Sequence, residues 1–171
     1  MIYIDFDGVI VDTWPLICEH YKEVNNSDLM EEGKLKKLFA ELDWEFVLNN
    51  SYQNKQNIQL LQNLSSDVIS SEIKILTKVN SKEEKKQKGL FLKNNNINIK
   101  MIAVTFERSK ADAVDPMNNI LIDDEIKNLD EWEKKGGKSI LYTKNDNNRD
   151  SDGVQNFKYK TISILSDKIL R

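Results

Sequence analysis

Cysteine and histidine are almost absent from this chain, with one of each, Cys18 and His20, in 171 residues. A lone cysteine cannot form an internal disulfide, which fits a reducing compartment. A lone histidine argues against a zinc cluster or a histidine-based triad, because such sites need several convergent ligands. His20 falls in a predicted helix, where a surface or packing role is the ordinary one. A basic excess is missing too. Lysine and arginine number 25 against 28 acids, a net charge of −3, so no positive field points to a standing nucleic-acid partner. No apolar run is long enough to span a bilayer, and residue 1 leads straight into a predicted core strand, leaving no room for a signal peptide. The expectation is a cytoplasmic protein whose chemistry runs on carboxylates, hydroxyls, lysines and a bound metal.

The chain alternates apolar stretches with helical ones. "IYIDF" (2–6) reads as a short buried strand, and "EIKIL" (72–76), "IKMIAV" (99–104), "NILID" (119–123) and "KSILYT" (138–143) as four more. Between them, "PLICEHYKEV" and "LKKLFAELDWEFVL" carry apolar residues at helical spacing, with Pro15 suited to a first helical turn. "NNSYQNKQN" (49–57) reads as a loop and "IQLLQNL" as a helix. "SKEE" (81–84) has the form of a capping box opening a lysine-rich helix to about Asn94. "EIKNLDEWEKK" is amphipathic and stops at Gly136-Gly137. "NDNNRDSDG" is expected to be a loop and the tail "KTISILSDKIL" a last helix. Alternating strands and helices imply an α/β fold with a doubly wound, mainly parallel, Rossmann-like sheet. Residues 14–48 interrupt that rhythm and read as an inserted helical cap on a core made of 1–13 and 49–171.

Ligands of open α/β sheets bind beyond the carboxyl ends of the strands. There the sequence places Asp5, Asp7 and Gly8 after the first strand, Thr77 and Lys78 after the second, and Glu107 to Lys110 after the third. Asp123 and Asp124 end the fourth. Four carboxylates cannot share a small site ionised without a cation. A hard ion such as Mg²⁺ takes oxygen ligands and bridges to phosphate. A hydroxyl and a lysine opposite it would hold the remaining phosphoryl oxygens, and Gly8 would let the backbone approach and offer its N–H. The set reads as a phosphoryl-transfer site. Each piece alone has a plainer reading: Asp-x-Asp as a solvated turn, Asp-Asp as a helix cap, Thr77 as a turn residue, Lys110 as one surface lysine among many. The joint pattern, in order at successive strand ends, favours the site.

These residues resemble those of the haloacid dehalogenase-like hydrolases. "DFDGVIVDT" is similar to that superfamily's Asp-x-Asp-Gly-x-x-x-Asp-Thr motif and "ILTKV" to its strand ending in Thr or Ser. Lys110 in "ERSKADAV" is similar to its lysine, and "ILIDDEIKNLDEW" to its acidic pair after a strand. Within the superfamily the chain looks most like the 5′(3′)-deoxyribonucleotidase-like branch, which carries a small helical cap after the first motif. The resemblance implies a phosphatase acting on a small phosphomonoester. Asp5 would be the nucleophile that forms an aspartyl-phosphate, and Asp7 the general acid and then base. Mg²⁺ would sit on the Asp5 carboxylate, the Asp7 carbonyl and the Asp123-Asp124 pair, one of the pair binding directly and the other through water. Thr77 would hydrogen-bond the phosphoryl group, and Lys110 would offset its charge. Asp12 would brace the way into the cap.

Cap aromatics Trp14, Trp44, Phe46 and Tyr52 are candidates to meet a nucleobase. Trp44 and Phe46 fit helix core better than base stacking, whereas Trp14 follows the first motif directly and is the better placed to line the site. Lys78 is a candidate to add charge for the substrate. A receiver-type signalling domain uses similar residues, but with its acidic pair on the first strand and its lysine near the last. A dehalogenase would need neither the metal cluster nor Asp7. A catalytically silent relative would have no use for the full polar set.

Overall fold

The computed structural model describes residues 1–27, 29–65 and 71–143. Five parallel strands form the central sheet: β1 (Ile2–Ile4), β4 (Ile73–Val79), β5 (Met101–Thr105), β6 (Ile120–Asp123) and β7 (Lys138–Leu141). Their order is β5-β4-β1-β6-β7. The chain builds outward from β1 to β4 and β5, then crosses to β6 and β7 on the other side. The direction of winding therefore reverses beside β1, where open α/β sheets form their ligand crevice. β1 is paired on both sides, Ile4 opposite Ile75 and Ile122.

Strand alternation explains the two cores. Ile2, Ile4, Ile73, Ile75 and Ile122 face one side and pack on α4 (Lys55–Ser65) and α5 (Lys82–Asn94) through Leu61, Leu64, Phe91 and Leu92. Tyr3, Leu76, Val104 and Leu121 face the other side, where Leu129 and Trp132 of α7 (Ile126–Glu133) cover them. Trp132 is fully buried, with its ring edge-on to Tyr3 at 5.3 Å. α7 ends as the glycine pair suggests: Gly136 takes φ +82° and Gly137 N donates to the Trp132 carbonyl.

Three differences from the sequence reading have local causes. β1 stops at Ile4 rather than residue 6, because the Phe6 carbonyl accepts from Ile10 N and Val11 N in a turn made at Gly8, φ +71°. Residues 49–57 are not a loop. The turn brings Val11–Asp12 (β2) antiparallel to Tyr52–Gln53 (β3), and α4 starts at Lys55. β4 runs on to Val79, so Thr77 and Lys78 lie in the strand rather than after it. The expected loop at "NDNNRDSDG" and the final helix lie outside the described residues.

Between β2 and β3 the chain makes α1 (Trp14–Asn25), α2 (Glu32–Glu41) and α3 (Trp44–Asn50). Pro15 sits in the first turn of α1, and the Asp43 carboxylate caps α3 by accepting from Phe46 N at 3.0 Å. The three helices share a small core that includes Ile17, Tyr21, Leu38, Phe39, Trp44 and Val47. Replacing Trp132 by alanine should lower folding stability by about 3–5 kcal/mol, the usual cost of deleting a buried aromatic. Urea unfolding measures it, and a change under about 1 kcal/mol would mean that α7 does not depend on this anchor.

Candidate active site

β1 and β6 deliver the two acids at the centre. Asp5 follows β1, with its backbone N–H on the Ile122 carbonyl at 2.9 Å, and is buried. Asp123 closes β6 and is fully buried. Between them stands Lys110, the first residue of α6 (Lys110–Ala113), which Ser109 caps through Ala111 N. The Lys110 ammonium lies 2.7 Å from Asp5 Oδ1 and 2.7 Å from Asp123 Oδ2. Asn128, in the first turn of α7, donates its amide to both Asp123 oxygens at 3.1 Å, and Glu125 N donates to Oδ1.

Asp124 follows at the lip. Oxygens of Asp5, Asp123 and Asp124 lie within 4.8 Å of one another. Gly8 leaves room for this, since a Cβ there would fall 1.8 Å from Asp124 Oδ2. Burial, opposed by Lys110 and reinforced by Asp123 and Asp7, pushes Asp5 up to about 8. Burial and the Asp123 charge push Asp124 up to about 6. The acids are thus short of positive charge. Clustered hard oxygen donors fit a divalent cation such as Mg²⁺, with Asp5, Asp123 and Asp124 the side chains placed to hold it.

Asp7 follows Phe6 into the turn. Its Oδ1 accepts from Thr13 Oγ1 at 3.1 Å, and its Oδ2 lies 3.3 Å from Thr77 Oγ1 and 2.5 Å from the Lys88 ammonium. Lys88 is fully buried and also pairs with Glu84 at 2.7 Å. Burial alone would pull Lys88 down, but Asp7 and Glu84 outweigh it and the net shift is upward. Burial raises Glu84, against the pull of Lys88. The capping box is half formed: Ser81 Oγ accepts from Glu84 N, while the Glu84 carboxylate accepts from Asn80 N at 2.7 Å instead of Ser81 N.

Sequence reasoning missed Lys88 and Glu84, along with Asn128. Lys88 is one of several lysines on α5 and is indistinguishable from them by composition. Position is the available signal: Glu84 and Lys88 share the face of Phe91 and Leu92 at helical spacing, on an apolar stripe where charge demands a partner.

A cleft of about 490 Å³ opens over these groups. Asp5, Asp7, Gly8, Lys110 and Asp124 line it, together with Lys78, Asn80 and Phe106. Trp14, Ile17, Leu35, Phe39 and Trp44 from α1, α2 and α3 line it too, as do the acids Asp12, Glu84 and Glu125. Thr77 is buried beneath, reaching Asp7 rather than the open cleft. Trp14 is half exposed at the mouth. Trp44 is mostly helix core, stacked on Phe39 with its indole N–H on the Phe39 carbonyl. Phe46 is exposed rather than core, and neither Phe46 nor Tyr52 lines the cleft. The Lys78 ammonium lies 5.8 Å from the Phe106 ring centroid. Among the described residues, no helix is long and apolar enough to cross a membrane.

No family model matches the sequence, and no curated protein does. Solved structures do match in fold. A haloacid dehalogenase-like family hydrolase from Streptococcus pneumoniae superposes with TM-score 0.51 at 15% identity, covering 83% of each chain. The haloacid dehalogenase domain of the effector protein Lem4 from Legionella pneumophila gives 0.48 at 15% identity, covering 99% of this chain and 92% of that one. A family enzyme from Bacteroides thetaiotaomicron, solved with magnesium and inorganic phosphate, gives 0.43 at 12% identity, covering 92% and 98%. The chain thus has the parallel α/β fold seen in haloacid dehalogenase-like hydrolases.

A carboxyl group held above its unfolded value keeps a proton that the unfolded chain has lost. Stability therefore falls as pH rises from near 4 toward 8 through Asp5, with Asp124 adding to the fall toward 6. A divalent cation should reverse the trend by holding the ionised acids. Thermal unfolding in EDTA and in Mg²⁺ from about pH 5 to pH 8 should show a gap in midpoint that widens with pH. A constant or absent gap would count against the cation site.

Proposed function

We propose that the chain is a Mg²⁺-dependent phosphatase of small phosphomonoesters, acting through an aspartyl-phosphate on Asp5. The observation that carries this reading is Asp5 itself. It stands at the end of the central strand, in the lining of the cleft, 2.7 Å from a buried lysine and beside two further acids. Asp5 attacks phosphorus, an Asp5 Oδ–P bond forms, and the P–O bond to the leaving group breaks. Asp7 gives the leaving oxygen its proton. It then takes a proton from the water that cleaves the aspartyl-phosphate, which releases inorganic phosphate and restores Asp5. Lys110 offsets negative charge on Asp5 and the phosphoryl oxygens. Thr77, buried beneath the cleft rather than facing the phosphoryl group, braces Asp7. Gly8, lacking a side chain, lets the Asp124 carboxylate close against the turn beside Asp7 and offers its backbone to the phosphate from the cleft lining. When bound, a divalent ion on Asp5, the Asp7 carbonyl, Asp123 and Asp124 would neutralise the charge of the transferring group.

Residues 14–48 act as the cap over the leaving group. Trp14 at the mouth and the apolar side chains that line the cleft with it favour a leaving group with a flat apolar part, which supports a (deoxy)nucleoside monophosphate as substrate. Lys78 adds one positive charge to the cleft lining and favours a second reading, a phosphorylated metabolite that carries another anionic group. A reducing cytoplasm suits a chain with one cysteine.

A phosphatase screen over nucleoside monophosphates, sugar phosphates and an aryl phosphate, with and without Mg²⁺, tests the proposal. Activity should require Mg²⁺, and Asp5→Asn should lose on the order of 10³-fold or more in kcat while remaining folded. Equal turnover by Asp5→Asn would remove the covalent mechanism. Lys78→Ala should raise KM several-fold with kcat nearly unchanged, as expected for binding made equally before and during reaction. A fall in kcat alone would instead place Lys78 at the reacting phosphate.

A further inference from the structure

The cluster that the phosphatase reading leaves unused is the buried one behind Asp7. Lys88 is fully buried on the 13-residue helix α5. Four oxygens surround its ammonium: Asp7 Oδ2 at 2.5 Å, Glu84 Oε1 at 2.7 Å, the Lys78 carbonyl at 3.0 Å and Thr77 Oγ1 at 3.1 Å. An ammonium has three protons, so this site is saturated. Closed off from solvent, Lys88 has no route to a substrate. The aromatic rings of Phe6 and Trp44 flank it at 5.4 and 5.9 Å, one from the core side and one from the inserted helices.

Stability does not account for such a group, since apolar residues replace buried ion pairs without loss in many proteins. Its placement does. Asp7 is on a turn rather than a strand, and a carboxylate on a turn has free rotation unless something outside the turn holds it. One of its oxygens is held by Thr13 and the other by Lys88 and Thr77.

We propose that Lys88, anchored by Glu84, is a positioning residue that holds the Asp7 carboxylate in the orientation its proton transfers require. This rests on the phosphatase reading. The site then has two lysines with separate duties. Lys110 serves the nucleophile and its neighbour Asp123, and Lys88 serves the acid–base residue from behind.

The test compares the wild type, the double variant Lys88→Met with Glu84→Gln, Asp7→Asn and the triple variant. Removing both charges strands neither Lys88 nor Glu84, the part-exposed Asp7 keeps Thr13 and Thr77 as partners, and the Glu84→Gln change keeps a side-chain oxygen for Asn80 N–H. Circular dichroism and urea unfolding establish folding. Rates are taken on the best alkyl-type phosphate of the screen, whose leaving oxygen needs a proton, and on an aryl phosphate, whose leaving oxygen needs it far less. The double variant should lose about 10²-fold in kcat on the alkyl substrate, the scale of general acid–base catalysis, with KM nearly unchanged and a smaller loss on the aryl substrate. Added to Asp7→Asn, it should cost nothing more, because both changes remove the same function. A folded double variant with wild-type kcat, or with a loss that multiplies that of Asp7→Asn, overturns the inference and leaves the phosphatase reading standing. A wild type inactive on every phosphate overturns both. If the double variant does not fold, Glu84→Gln alone carries the same comparison, with a smaller loss expected and the same dependence on Asp7.

Discussion

The Lys110 ammonium between Asp5 and Asp123 is the contact on which the site depends. It joins the carboxyl ends of two adjacent strands, β1 and β6, at the place where the winding of the sheet reverses. Without it, two buried carboxylates would face each other with nothing to balance them. The cost of an unpaired buried charge exceeds what most single contacts contribute. The placement of α6 and the loop before it follows from the same need. Ser109 caps the short helix so that its first residue, Lys110, points inward, and Ser109 also donates to Glu131 on α7. The lysine is therefore fixed from its backbone as well as from its charge.

The rest of the site follows a similar division. Three acids on or just after the central strands are answered by groups on neighbouring helices: Asp5 by Lys110, Asp123 by Lys110 and Asn128, and Asp7 by Lys88. Asp124 at the rim is answered by neither lysine at contact distance, and it is the acid left most open to a cation. Charged groups from the strand ends and apolar side chains from α1, α2 and α3 line one cleft.

Most of the fold was legible in the sequence because the central strands are short, apolar and bounded by turn residues or charges. The parallel sheet followed from their alternation with helices. The β2–β3 hairpin was not legible: two-residue strands carry no periodic signal, and Tyr52–Gln53 sits in a stretch that is polar throughout. Within the site, Asp5, Asp7, Lys110, Asp123 and Asp124 stood out because they end strands or follow them in a fixed order. Lys88 and Glu84 did not, because Lys88 meets Asp7 across a sequence separation of 81 residues, and helical spacing reports only that they face inward. Thr77 stood out at a strand end as well, but its surroundings depend on β4 running two residues past it, which no local signal marked.

The hairpin has a consequence for changes in the length of the chain between its strands. The inserted helices leave the core through β2 and come back through β3, with Asp12 opposite Tyr52. Both ends of the insertion are thus pinned side by side, independently of what lies between them. Lengthening a segment whose ends are already held together costs little, about 0.6 kcal/mol for each doubling in a flexible loop. The strands that lead into Asp5 and carry Thr77 and Asp123 belong to a separate sheet from this hairpin. A change of length in that one contiguous stretch is taken up first at the hairpin, before it reaches Asp5 and Asp123.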